Sequence, residues 1–333
     1  MRRTTDRRRA CAGLLRRPGV QYRRGGPVTA DLGITIAGVE FANPVWTASG
    51  CCGYGEELAR VFPLSRLGAL VTKSITLEPR LGHPPPRVAE TSAGMLNAIG
   101  LANVGVESFI DEKIPFLARQ KTRTIVNVAG STMGEYIEVC QRLNDVEHLD
   151  MVELNISCPN VDKGGMQFGA DPSLTEEVVK SVKKVFTRPV IAKLSPNVTD
   201  IVEIARAAEQ GGADAVSLIN SMVGTAVDIE TWRPRLTNNT GGLTGPAIKP
   251  IALAMVSAVH SSCRLPVIGI GGIAGWADAV EFLLCGATAV QVGTAVFVEP
   301  EAPVKIVRGL REYMRRKKLR TVNDLIGRVR KYG

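Results

Sequence analysis

The chain has 333 residues, of which 45% are apolar and 5% are aromatic, and its formal net charge is +9. The positive charge lies at the two ends, because residues 1–24 contain nine arginines and one acidic residue, whereas residues 25–304 contain 21 basic and 29 acidic residues. Proteins that bind nucleic acid usually carry their basic residues on the folded domain, so this charge distribution excludes nucleic acid as a partner.

The Arg-rich start, residues 1–25, is predicted to be a disordered N-terminal extension, because it lacks the apolar stretch and cleavage site of a secretory signal. No run of about 18 uncharged apolar residues predicts a membrane span. The seven cysteines show neither a disulfide framework nor a C-x-x-C pair. We therefore expect a cytoplasmic protein with no membrane partner and no metal site.

Eight short, mostly apolar runs follow in chain order, most of them followed directly by Gly, Asn or Ser and then by a helical pattern such as 201–210 or 277–284. They span residues 44–48, 69–73, 124–128, 151–156, 190–194, 215–219, 266–270 and 289–293. Runs of this kind are typical of buried parallel strands in βα units. The count of eight predicts an α/β fold, a single-domain (β/α)8 TIM barrel over residues 26–333 with a basic C-terminal helical segment. An open doubly wound sheet remains the alternative.

Polar side chains collect where these predicted strands end. They are Ser49, Lys73, Ser74, Asn127, Asn155, Lys193, Ser195, Asn220, Ser221 and Thr294. Serine and asparagine are common after strands because their side chains hydrogen-bond to the backbone of turns. This does not explain a lysine at the end of each of two strands. Because barrels of this class place their active sites at the C-terminal ends of the strands, we predict an active site here.

A glycine motif from Gly269 to Ala274 fits the pattern G-x-G-x-x-G/A between a strand and a helix. A dinucleotide-binding fold would need an acidic residue about 20 positions later, and the chain has Gln291 there. Together with Gly293 and Thr294, the same glycines match the phosphate site that barrels build after strands 7 and 8. The sequence therefore predicts a ligand that carries a phosphate.

Lys193 lies on the fifth predicted strand. If the ligand is a flavin, an ammonium beside the ring would stabilise the negative charge that reduction creates. The alternative is a buried lysine paired with a carboxylate such as Glu153.

Four neutral amides suit a pyrimidine dione, whose edge alternates N–H and C=O groups. They are Asn97, Asn127, Asn155 and Asn220.

Cys158 follows the fourth strand directly and is a candidate base. An isolated cysteine is more often an inert small apolar residue. However, the chain has only three histidines and none lies at a strand end, so a site that needs a proton acceptor must use another group, and a thiolate can serve. Cys51 and Cys52, just after the first strand, are the rival thiols and rank below Cys158.

With these features the chain resembles the dihydroorotate dehydrogenases, and specifically their class 1B catalytic subunits. The resemblance covers residues from about 30 to 328. It is carried by segments 48–50, 73–74, 97–101, 127–130, 155–161, 193–200, 219–220 and 241–247 and by the two glycine sites.

The resemblance implies that dihydroorotate is oxidised to orotate in de novo pyrimidine biosynthesis. Cys158 would remove the C5 proton while C6 passes a hydride to N5 of FMN. Substrate would be bound by Lys73, Asn97, Ala98, Ile99, Gly100, Leu101, Asn155, Asn220 and Ser221. FMN would be bound by Ser49, Lys73, Ser74, Asn127, Asn155, Lys193, Ile219, Gly245, Gly271, Gly272, Gly293 and Thr294.

The resemblance also implies that electrons pass to NAD through a second subunit that carries FAD and a 2Fe-2S cluster, in a heterotetramer built on a homodimer of catalytic subunits.

Three alternative functions stay open. One is a dihydropyrimidine dehydrogenase-type subunit acting on uracil or dihydrouracil, although the loop 97–101 favours a substrate with a carboxylate. The others are a non-redox isomerase or lyase, and a scaffold that binds FMN without catalysis.

Overall fold

Eight parallel strands close into a barrel in the structure, which is a computed structural model and describes residues 30–156, 168–330 and 332. Each barrel strand pairs with the next one along the chain, and the last pairs with the first. The strands are β3 (Val45–Thr47), β4 (Ala69–Val71), β7 (Arg123–Val128), β8 (Met151–Asn155), β9 (Val190–Lys193), β10 (Ala215–Leu218), β15 (Val267–Ile270) and β16 (Ala287–Val292). They coincide with the eight predicted runs, so the closed barrel is confirmed and the open sheet is wrong.

The barrel strands are buried on both faces, as expected for parallel strands covered by helices. Most of the covering helices follow a strand, and the last one closes the ring against β3. They are α4 (Met133–Asn144), α5 (Pro172–Lys183), α6 (Ile201–Gln210), α7 (Lys249–Ser262), α8 (Trp276–Leu284) and α10 (Ala302–Lys317). Helix α6 has the predicted bounds, and α8 begins one residue earlier than predicted.

Helix α6 illustrates why these segments fold as they do. The carboxylate of Asp200 accepts a hydrogen bond of 2.7 Å from the backbone N–H of Val202, which caps the first turn. Ile201, Ile204 and Ala208 recur at helical spacing and are buried against the barrel. Burial of this apolar face, rather than helix propensity alone, keeps the helix in place.

A four-stranded antiparallel sheet, here called the rim sheet, stands at the C-terminal ends of the barrel strands, and the sequence did not predict it. Its strands, in their order across the sheet, are β11 (Met222–Gly224), β14 (Gly241–Thr244), β6 (Gly94–Asn97) and β5 (Val88–Thr91). Asn97, predicted to begin a loop, is instead the last residue of β6. These strands are short and partly exposed, so they lack the apolar runs from which the sequence predicts the barrel strands.

The turn from β5 to β6 requires a glycine at Gly94. This residue has φ +157°, and a Cβ atom there would lie 2.0 Å from the carbonyl oxygen of Thr244. Only a residue without a side chain allows β6 and β14 to approach so closely.

The remaining elements are short. A hairpin of β1 (Ile34–Ile36) and β2 (Val39–Phe41) precedes the barrel, and β12 (Val227–Asp228) pairs with β13 (Arg233–Pro234). The short helices are α1 (Glu56–Ala59), α2 (Val106–Ser108), α3 (Ile114–Leu117) and α9 (Ala295–Val298), with a π-helical turn, Phe109–Lys113, between α2 and α3. Within the described ranges, no helix is both long and apolar enough to cross a bilayer. The predicted extension 1–25 lies outside the described residues.

One arginine fastens the end of α4 to the barrel. The guanidinium of Arg188 donates four hydrogen bonds of 2.6–2.8 Å to main-chain carbonyls. The acceptors are the carbonyl oxygens of Leu143, Asn144, Val146 and Leu149. The carbonyls at a helix C-terminus have no partner within the helix, so this side chain satisfies groups that would otherwise need water.

We predict that Arg188→Met lowers the free energy of unfolding by about 2–4 kcal/mol, because several charge-assisted hydrogen bonds are lost together. Urea denaturation followed by circular dichroism measures this. Arg142→Met is the matched control, since Arg142 forms exposed ion pairs with Glu107 and Glu138 and should lose only about 0–1 kcal/mol. Equal losses in the two variants would contradict the assignment.

Candidate active site

A cavity of about 560 Å³ opens at the C-terminal ends of the barrel strands, against the rim sheet. This volume is within the range of cavities that hold small molecules and cofactors. Ten of the predicted site residues line it. They are Ser49, Lys193, Ile219, Asn220, Ser221, Gly245, Gly271, Gly272, Gly293 and Thr294. The strands of the barrel and the rim sheet therefore gather residues from six separate parts of the chain into one site.

One part of the cavity wall is bare main chain. Gly271 and Gly272 have φ of +120° and +74°, and a Cβ atom on Gly272 would lie 2.7 Å from Cβ of Lys249 and 2.9 Å from the carbonyl oxygen of Gly245. In the described part of the chain, the N–H groups of Gly272, Gly293 and Thr294 donate to no protein acceptor. Unpaired N–H groups beside helix starts attract anions, so this wall is suited to a phosphate.

Lys193 is the lysine of the cavity wall, which Glu90 and Glu299 also line. Its side chain is 6% exposed, and its ammonium lies 3.4 Å from Oε1 of Glu153, which is fully buried. The ion pair that the sequence offered as the alternative is therefore present, and the same lysine lines the cavity. The two interpretations of Lys193 are compatible.

Asn127 and Ser74 lie behind the cavity wall, in a layer of hydrogen bonds. The hydroxyl of Ser74 donates to Oδ1 of Asn127 at 2.5 Å, and Nδ2 of Asn127 donates to Oε1 of Glu153 at 2.7 Å. Nδ2 of Asn220 donates to Oδ1 of Asn155 at 3.3 Å. Ser74, Asn127 and Asn155 are not among the residues that line the cavity, and their contact with a ligand stays a prediction.

The segment 98–101 is held in a fixed shape next to the rim sheet. The backbone N–H of His83 donates to the carbonyl oxygen of Ile99 at 3.1 Å, and Nδ1 of His83 lies 3.0 Å from the carbonyl oxygen of Ala98. Gly100 and Leu101 both have positive φ, and Nδ2 of Asn97 donates to the carbonyl oxygen of Gly242 at 3.1 Å. The segment does not line the cavity, so its role in binding substrate also stays a prediction.

Lys73 is a half-buried cation at the end of β4. In the described ranges its ammonium forms neither an ion pair nor a side-chain hydrogen bond. Burial lowers the pKa of Lys73, and the nearby positive charge of Arg87 lowers it further. A cation in this situation gains from an anionic ligand, and the sequence did not single out Arg87.

Of the rival thiols, Cys51 lines the cavity and Cys52 lies beneath it. Burial raises the pKa of Cys51 to about 11, although the charge of Lys193 acts in the opposite direction. Burial also raises the pKa of Cys52. Neither thiol is therefore ionised at neutral pH, as a base would have to be. Cys158, the predicted base, lies outside the described residues.

Sequence reasoning named Glu153 only as a possible partner of Lys193, and it missed the contribution of the rim sheet. Thr91 and Met95 of the rim sheet line the cavity, and no pattern in the sequence pointed to them. The Thr91 hydroxyl is buried and has no hydrogen-bond partner among the described residues.

Fold and site together define a (β/α)8-barrel protein with a cavity that has a bare main-chain wall and a buried lysine at the C-terminal ends of its strands. A family model described as dihydroorotate dehydrogenase matches residues 31–314. The chain belongs to the dihydroorotate dehydrogenase family.

Similar proteins carry the printed name dihydroorotate dehydrogenase B (NAD(+)), catalytic subunit. That of Citrifermentans bemidjiense is 52% identical over 297 residues, which are 89% of this chain and 97% of that protein. That of Alkaliphilus oremlandii is 50% identical over 299 residues, 90% of this chain and 99% of that protein. That of Phocaeicola vulgatus is 51% identical over 298 residues, 90% of this chain and 98% of that protein.

We predict that Gly272→Ala weakens binding of a phosphate-bearing ligand without unfolding the barrel, because the new methyl group would press on Lys249 and Gly245. Titration with FMN, followed by quenching of flavin fluorescence, should show at least a tenfold weaker affinity, about 1.4 kcal/mol. Gly275→Ala is the control, since the nearest atom to a Cβ there is 3.8 Å away. Equal affinity in the two variants would show that the glycine wall does not hold the phosphate.

Proposed function

We propose that this protein binds FMN and oxidises dihydroorotate to orotate, as the catalytic subunit of an NAD-linked enzyme. The observation that carries the proposal is the combination, in one cavity, of bare N–H groups, apolar walls and a buried ammonium. A flavin mononucleotide needs these three environments for its phosphate, its ring and the charge that it gains on reduction. The printed names of the relatives support the same activity.

The residues of the cavity fit FMN. Gly271, Gly272, Gly293 and Thr294 would hold the phosphate, and Ile219 would lie against the ring. Lys193 would place its positive charge near the part of the ring that becomes negative. The other proposed contacts are Ser49, Lys73, Ser74, Asn127, Asn155 and Gly245. When bound, FMN supplies a two-electron acceptor for the hydride from C6 of the substrate.

The protein's own residues would perform the acid–base and binding steps. Cys158 is the proposed base, and its Sγ would take the proton from C5 of dihydroorotate. Lys73 would pair with the substrate carboxylate, and the backbone of 98–101 would donate hydrogen bonds to it. Asn97, Asn155, Asn220 and Ser221 would bind the alternating donors and acceptors of the dihydropyrimidine ring.

We further propose that a second subunit carrying FAD and a 2Fe-2S cluster takes the electrons to NAD, in a cytoplasmic heterotetramer built on a homodimer of this chain. The words catalytic subunit in the relatives' names support a partner subunit. Exposed apolar side chains around β12 and β13 support protein contacts, since Ile229 is 77% and Trp232 86% exposed.

We predict that anaerobic dihydroorotate bleaches the bound flavin, because hydride transfer removes its absorbance in the visible region. Stopped-flow absorbance measures the rate. Dihydrouracil, which lacks the carboxylate, is the matched control and should bleach at least tenfold more slowly. Bleaching by dihydrouracil alone would instead identify a dihydropyrimidine dehydrogenase-type subunit.

Replacement of the proposed base should separate chemistry from binding. In Cys158→Ala the flavin should remain bound and dihydroorotate should still bind, but bleaching should slow by about 10²–10⁴-fold, the range for a lost general base. Cys51→Ala is the control and should keep most of the rate. An undiminished rate in Cys158→Ala would remove Cys158 from the mechanism.

Lys73 should make substrate binding sensitive to alkaline pH. Because its pKa is lowered, the ammonium loses its proton at a lower pH than an exposed lysine, and an anionic ligand binds best while it is charged. The dissociation constant for orotate should therefore rise as pH rises through the lowered pKa, by about 10- to 100-fold for a lost charge-assisted hydrogen bond.

Spectral titration of the flavin with orotate measures this constant. Lys73→Arg is the matched control, because its guanidinium stays charged and any ionisation of orotate itself affects both proteins equally. If the wild-type and Lys73→Arg proteins showed the same pH dependence, Lys73 would not be the titrating group.

A further inference from the structure

Glu153 lies inside the barrel with no exposed surface. It stands in the middle of β8, and its carboxylate reaches β10, which is separated from β8 by β9, and β16, which lies on the opposite side of the barrel. Transfer of a carboxylate from water to such a place is strongly unfavourable unless hydrogen bonds and an opposite charge compensate for it. The surroundings of Glu153 supply both.

Both oxygens of Glu153 accept two hydrogen bonds. Oε1 accepts from Nδ2 of Asn127 at 2.7 Å and from Nζ of Lys193 at 3.4 Å. Oε2 accepts from Oγ of Ser217 at 2.8 Å and from Nε2 of Gln291 at 2.6 Å. An ionised carboxylate has about four acceptor sites, and all four are used here. Only one of the four donors, Lys193, carries a charge.

Glu153 is the anionic neighbour of Lys193. In the described part of the chain, Glu153 is the only anion with which Lys193 forms an ion pair. The other titratable group that faces Lys193 there is Cys51. Burial raises the pKa of that thiol to about 11, so it is neutral at neutral pH and does not replace Glu153.

We propose that Glu153 is a positioning residue for the flavin reaction: its carboxylate keeps Lys193 protonated at the cavity wall before the flavin is reduced. This inference rests on the proposed function to the extent that the cavity holds FMN. It adds a residue that touches neither FMN nor substrate and acts only through Lys193.

The protonation state of Lys193 affects the number of protons that accompany reduction of the flavin. With Lys193 already charged, reduction of the flavin by two electrons takes up only the protons that the flavin itself binds. Without Glu153, the buried lysine is neutral while the flavin is oxidised, and it takes one proton from solvent when the reduced flavin becomes negative. Removal of Glu153 therefore adds one proton to the two-electron reduction.

Glu153→Gln is a suitable variant because the network accommodates an amide. Oε1 of Gln291 is buried without a hydrogen-bond partner among the described residues. Rotation of the Gln291 amide by a half-turn would present this oxygen to the new NH₂ group at position 153. The single side-chain oxygen of the glutamine at position 153 would still accept hydrogen bonds from Asn127 and Lys193. The shape of the barrel interior is therefore retained.

The test is a spectroelectrochemical titration of the FMN-bound protein at several pH values. One extra proton for two electrons makes the midpoint potential about 30 mV more negative per pH unit, because a tenfold change corresponds to 29.6 mV. We expect this extra slope in Glu153→Gln. Glu153→Asp keeps the charge, and Ser217→Ala removes one neutral donor, so both should keep the wild-type slope.

Two results would overturn the proposal. A wild-type slope in Glu153→Gln, with or without a uniform shift in potential, would show that Lys193 holds its proton unaided and would overturn the proposal. An extra slope in Glu153→Asp or Ser217→Ala would overturn it too, since packing and not charge would then be responsible.

A second variant decides the matter if Glu153→Gln does not fold. Lys193→Met removes a positive charge that is present both before and after reduction of the flavin. The midpoint potential should therefore fall, while its dependence on pH stays that of the wild type. A slope shallower by about 30 mV per pH unit would show that Lys193 is neutral before reduction in the wild type, and would overturn the proposal.

The titration needs no substrate, because the electrode supplies the electrons. A protein that binds FMN and shows the expected slopes, but is not bleached by dihydroorotate, would overturn the proposed function alone. One that is bleached but shows unchanged slopes would overturn this inference alone. A protein that binds no FMN would overturn both.

Discussion

A single buried carboxylate joins four strands of the barrel, and the chemistry of the site depends on it. Glu153 accepts hydrogen bonds from side chains on β7, β9, β10 and β16. Burying this charge is unfavourable in itself, and a barrel filled with apolar side chains would be at least as stable. The charge is therefore best understood as serving the cavity, because it allows an ammonium to exist at a wall that is otherwise mostly apolar.

The same arrangement divides the polar residues of the site into two layers. Ser49, Lys193 and Thr294 reach the cavity, whereas Ser74 and Asn127 lie behind it and are hydrogen-bonded to each other. Lys193 is tied to the inner layer through Glu153, which accepts hydrogen bonds from both Asn127 and Lys193, and this network restricts rotation of the lysine side chain. Such preorganisation is what an electrostatic contribution to catalysis requires.

The sequence was sufficient to predict the barrel, because eight apolar runs with intervening helical patterns leave few ways to bury both faces of every strand. It also located the glycine wall, where main-chain geometry requires residues without a side chain. It could not predict the rim sheet, since β5 and β6 are short, partly polar and stabilised by pairing with residues far away in the chain.

Side-chain partners were the other limit of sequence reasoning. The sequence offers Glu153 only as a possible partner of Lys193, because nothing in the local pattern shows that Ser217 and Gln291 meet it inside the barrel. The roles of Asn127 and Asn155 were predicted from their residue type alone. Contacts of this kind depend on which strands face each other, and that information exists only after the barrel has closed.

The rim sheet has an evolutionary consequence. Strands β5 and β6 come from the connection after the second barrel strand, and β11 and β14 come from the connection after the sixth. They meet where β6 pairs with β14, with Gly242 opposite Asn97. Neither connection can drift independently, because an insertion or a bulky residue in one changes the fit of the other. Diversification of substrate preference in this architecture should therefore proceed by paired changes in two distant stretches of the gene, while the barrel beneath them is inherited intact.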